Sequence, residues 1–112
     1  MASMTVTVRD QALGELRWIV LRGPADEAFL ALGRHMSAEI SAFIDRSVMM
    51  PALRRHAAAE PGRQRLATVQ AACPQAWQEL AALAAGAQVS LGDLAMVNFR
   101  GVSPRQRHHR DQ

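Results

Sequence analysis

Residues 77–100 read Trp-Gln-Glu-Leu-Ala-Ala-Leu-Ala-Ala-Gly-Ala-Gln-Val-Ser-Leu-Gly-Asp-Leu-Ala-Met-Val-Asn-Phe-Arg. Trp77, Leu80, Ala81 and Ala84 recur at helical spacing, with Leu83 beside them, so they form one apolar face. Gly86 stands where a left-handed residue would end that helix, since glycine takes positive φ without steric cost. Ser90 and Asp93 have the spacing of an N-cap and a reciprocal acidic partner, opening a short turn on Leu91 and Leu94. Met96 to Arg100 is rich in β-compatible residues and predicts a strand leaving the turn, near 96–100.

Upstream, alternating Thr and Val over residues 4–10 predict a short strand, and Gly14 a turn. Residues 15–22 predict a second strand, with Leu16, Trp18 and Val20 on one face and Arg17, Ile19 and Leu21 on the other. Gly23-Pro24 stops it. Proline at a helix start, with Asp26 and Glu27 near the positive dipole end, predicts a helix from about Pro24 to Ser47. Its stripe is Phe29, Leu32, Met36, Ile40, Phe43 and Ile44. Gly33 weakens that helix by up to ~1 kcal/mol unless a close packing contact needs so small a residue. Pro51 restarts the chain into a short helical piece over 52–59, which Glu60-Pro61-Gly62 closes. Residues 64–85 are helical in composition, and Pro74 kinks or restarts them. Residues 102–112 carry one apolar residue and a basic bias, which predicts a disordered tail.

Composition limits what such a chain can build. Leu, Ile, Val and Phe make up 25 of 112 residues, while 21 are alanine. Alanine favours helix but buries little area, so the core is thin. That implies either a small helical domain or a fragment that completes its core against other polypeptide. All 13 basic residues are arginine, the net charge is +3, and residues 102–112 supply +2 of it. The body therefore has no strong pull toward nucleic acid or anionic membrane. One cysteine, Cys73, excludes an intramolecular disulfide and is compatible with a reducing cytoplasm. The start lacks the pattern of a signal peptide, and no run approaches a membrane span. These features predict a soluble cytoplasmic protein.

Two motifs together resemble a known family. Glu79-Leu80-x-x-Leu83-Ala84-x-Gly86-Ala87, then Val89-Ser90-Leu91-x-Asp93-Leu94, then Asn98-x-Arg100 form the first. Leu21 to His35, read as opening strand, glycine turn and first helix with an internal Gly33-Arg34, form the second. They resemble the acyl-coenzyme A:6-aminopenicillanic acid (isopenicillin N) acyltransferase-like family of N-terminal-nucleophile hydrolases. The resemblance implies an α+β fold over residues 1–101. This would be a mainly helical N-terminal (α) portion of an αββα sandwich, with one or two N-terminal strands and the strand near 96–100.

It also implies acyl transfer or amide hydrolysis through a cysteine exposed by autoproteolysis. No metal or other cofactor is needed, and acyl-coenzyme A or an amide is the substrate of the complete enzyme. In the family that cysteine follows the Asn-x-Arg strand after a short linker. Here no cysteine follows Arg100. Two explanations are open. Either the nucleophile opens a separate β chain, or the reading frame slips near Gly101, which an Arg/His/Pro-rich ending favours. The resemblance places Asn98 and Arg100 beside the substrate or the precursor linker, although both residues also suit a plain strand end. A rival reading is a stand-alone helical module that oligomerises or binds a partner helix.

Other chemistry-bearing residues read as structural. Cys73, on an apolar stripe beside Pro74, is expected to be a buried small hydrophobe. His35 and His56 are isolated and suit helix ends or the surface. His108 and His109 point to opposite sides of an extended chain and make a poor chelating pair. Arg54-Arg55 lack the interleaved aromatics of a nucleic-acid surface. Met36, Met49 and Met50 fill gaps in a core.

Overall fold

A computed structural model describes residues 6–99. Two antiparallel strands, β1 (Thr7–Leu13) and β2 (Leu16–Arg22), precede six helices. These are α1 (Ala25–His35), α2 (Ser37–Arg46), α3 (Met50–Ala58), α4 (Glu60–Ala72), α5 (Pro74–Ala87) and α6 (Leu91–Asn98). The coarse class is α+β, mainly helical, with a two-stranded sheet.

The hairpin follows from its turn. Leu13 pairs with Leu16, and Gly14 has φ of 65°, the left-handed value that a two-residue hairpin loop needs at its first position.

The centre of the body is the packing of α1 on α5. Gly33 and Gly86, both buried, face each other's helices there. A Cβ at Gly33 would overlap the Leu83 carbonyl oxygen and lie 2.8 Å from the Ala87 nitrogen. One at Gly86 would overlap the Leu30 carbonyl oxygen and lie 2.9 Å from the Arg34 nitrogen. Both glycines thus let backbone touch backbone. The close contact expected of Gly33 is present. Gly86, however, is no helix terminator, because its missing side chain is used by α1. The helix runs on to Ala87, and Gln88 takes the left-handed position, with φ 61° and ψ 43°. The Val89 N–H donates to the Ala84 carbonyl (3.1 Å) and the Gln88 N–H to the Ala85 carbonyl (3.3 Å), the paired bonds of a Schellman ending. Ser37 Oγ adds a 2.9 Å bond to the Ala87 carbonyl, fastening the start of α2 to this end.

Residues 96–99 correct the sequence reading. They form no strand: α6 is helical through Asn98 and packs on α3 and α5. Its Leu94, Ala95 and Met96 are buried at 8%, 0% and 4% exposure. The Ser90 cap starts a helix, and burial of that face keeps it helical against the β-propensity of Val97 and Phe99.

The long helix expected over 24–47 is broken at Met36, which caps both halves and lets α2 turn away from α1. Glu60-Pro61 opens α4 instead of closing α3, since proline fits a helix's first turn. Gly62 is buried there against the His56 carbonyl, with no room for a Cβ. At Pro74 the chain restarts a helix after Cys73. The core is thin as expected: among the described residues the buried apolar ones are Ile44, Met50, Ala84, Ala87, Leu94, Ala95 and Met96, and three of these seven are alanine.

Candidate functional site

The described residues bring together one polar constellation spanning four elements. Asp10 on β1 and Arg17 on β2 lie on the same side of the hairpin, in the diagonal relation the strand register gives them. Arg17 Nη2 donates to Asp10 Oδ2 at 2.6 Å, and Arg17 Nε lies 3.1 Å from each Asp10 oxygen. His35, the last residue of α1, donates from Nε2 to Asp10 Oδ2 at 2.5 Å. Arg17 Nη1 reaches Glu39 on α2 at 2.8 Å.

The Arg17 guanidinium, and after it His35, hold the Asp10 carboxyl down at about 2. Arg17 also lowers Glu39, and its own basicity rises between the two carboxylates, Asp10 having the larger effect. An Asp–His pair is the usual way to orient an imidazole for proton transfer. Here the carboxylate already takes a forked arginine, so its charge is neutralised within the hairpin. The arrangement is built to hold elements together.

The residues singled out from sequence fall elsewhere. Asn98 donates from Nδ2 to the Leu94 carbonyl at 2.8 Å, back onto its own helix. Arg100 lies outside the described residues, as do His108, His109 and the rest of the expected tail. Cys73 is exposed between α4 and α5, which corrects the expectation of a buried thiol. The helix break at Pro74 turns residue 73 off the apolar stripe that its spacing placed it on. His35 stands at a helix end as expected. Arg54 pairs through Nε and Nη2 with both Asp93 oxygens, at 3.1 and 2.8 Å, joining α3 to α6. Asp93 raises the basicity of Arg54. Asp93 is therefore half of a capping box: its N–H donates to Ser90 Oγ at 3.2 Å while its carboxylate serves Arg54. Of the three methionines assigned to the core, Met50 is at 1% exposure, Met36 is half-buried and Met49 is at 41%.

The second notable surface is apolar. Asp10 and Arg17 point toward the helices, so Leu13, Leu16 and Trp18 point the other way. They are 48%, 74% and 55% exposed. A further patch lies between α2 and α3, where Phe43, Val48 and Met49 are 51%, 92% and 41% exposed. Among the described residues no group of three His, Cys, Asp or Glu side chains is placed to hold a metal ion. No described helix is long and apolar enough to cross a membrane. Compared with protein-family models, curated proteins and solved structures, the chain matches none.

Proposed function

We propose that this chain is the nucleophile-free N-terminal portion of an amide-hydrolysing or acyl-transferring enzyme of the N-terminal-nucleophile kind. It would dock on a polypeptide that carries the reacting cysteine. The motif resemblance supplies the chemistry. The outward face of the hairpin, Leu13, Leu16 and Trp18, is the observation that supports docking. Two strands alone make a marginal sheet, and open strand edges invite further strands. In this reading the hairpin joins the sheet of an αββα sandwich, in the cytoplasm, and α1 and α5 cover one side of it. The partner's N-terminal cysteine would attack an acyl carbonyl, its own α-amino group taking the thiol proton and passing it to the amine or coenzyme A thiol that leaves, and the thioester so formed would be resolved by water or an acceptor amine. Asn98 and Arg100 would order the linker or the substrate carboxylate.

The test begins with the DNA that follows codon 101, translated in three frames. A Gly-Cys-Ser or Gly-Cys-Thr sequence soon after that point is the expected result. Its polypeptide, co-expressed with residues 1–101, should co-purify and turn over an amide or thioester. Lack of such a sequence in all three frames contradicts the reading. The chain alone should show no turnover, and activity abolished by Cys73→Ala would overturn that.

The exposed Phe43, Val48 and Met49 favour a second reading, a small helical module that pairs with another copy. Sedimentation of the purified chain as a cooperative, folded oligomer would support it over the first.

A further inference from the structure

We infer that the hairpin is a strap held on the helical body by an electrostatic latch, and that it releases while the body stays folded. The strap's own packing is weak. No residue of β1 or β2 is buried, and β1 is exposed along its whole length. Only Ile19, Val20 and Leu21 of the seven β2 residues are even partly covered. Side-chain bonds that cross from the strap to the helices among the described residues include His35 Nε2 to Asp10 (2.5 Å) and Arg17 Nη1 to Glu39 (2.8 Å). The Asp10–Arg17 fork lies within the hairpin and presents both groups to α1 and α2 at once.

Arg17 and Glu39 are 43% and 49% exposed, so solvent and salt reach the latch. The helical body has no such dependence at its centre, where α1 meets α5 backbone to backbone. Release would bare the half-covered Ile19 and Leu21 to solvent together with Asp10 and Arg17.

Hydrogen exchange on the full chain tests this. Glu39→Ala combined with His35→Leu removes these two crossing bonds and leaves the Asp10–Arg17 fork intact. It should raise exchange of the β1 and β2 amides about threefold to tenfold, with α1 and α5 unchanged. In the wild type, going from about 0.01 M to about 1 M salt shortens the screening length from ~30 Å to ~3 Å and should produce a similar rise. Arg54→Met breaks a forked pair inside the body and should leave the hairpin amides where they were. Hairpin amides unmoved by both the double substitution and salt would overturn the latch. So would α1 and α5 amides rising by the same factor as the hairpin.

Discussion

The α1–α5 contact and the hairpin are built on opposite principles. At the first, two glycines remove side chains so that backbones meet, and nothing else fits between them. At the second, seven-residue strands carry large apolar side chains that face outward, and charged groups make the contact with the helices. Close packing is intolerant of added atoms, whereas an exposed face tolerates almost any exchange. The glycine contact is closed within the chain, whereas the hairpin leaves its apolar face open to solvent.

The largest test of the difference is volume. Gly86→Ala should lower unfolding free energy by about 2–3 kcal/mol in urea titrations, because helix backbone and not a flexible side chain must move. Gly33→Ala should behave alike, and the two together should cost less than their sum, since they loosen one contact. A smaller loss, about 1 kcal/mol, is expected for Ser90→Ala, which removes the bond to the Asp93 N–H. Gln88→Gly should stabilise by about 0.5–1 kcal/mol, measured the same way, by placing glycine at the left-handed residue that ends α5.

Acid should act on the hairpin. The Asp10 carboxyl is held near 2 in the folded chain against an ordinary 3.8. The stabilisation it brings is therefore complete above about 3.8 and is lost as pH falls toward about 2. Exchange of the β1 and β2 amides, corrected for the intrinsic rate at each pH, should follow that loss, and Asp10→Asn should remove the pH dependence. At the small end, Trp18→Ser should change the stability of the isolated chain by less than about 0.5 kcal/mol.

Much of the helical body is legible in the sequence, because local signals set it. The Ser90 cap follows from residue type and spacing; Pro74 suits a kink as well as the observed restart, and Gly33 shows its need for a close contact only once α5 is in place. Gly86 was not legible: a glycine in a last turn and one just beyond it look alike until the opposing helix is in place. Met96 to Phe99 has strand composition, and only burial against α3 and α5 decides for helix. The two faces of β2 are both apolar, so alternation alone does not tell whether Trp18 or Ile19 points inward. The Asp10–Arg17–His35–Glu39 cluster joins residues up to 29 positions apart with no periodic relation. Nothing in the sequence marks it.

The most direct measurement is residue-resolved hydrogen exchange of the wild-type chain at neutral pH and moderate salt. The account predicts that amides of 30–34 and 83–87 exchange only with global unfolding, while those of 9–13 and 16–20 exchange far faster through local opening. Equal protection of the two regions would contradict it, for the hairpin would then be as much a part of the closed body as the glycine contact.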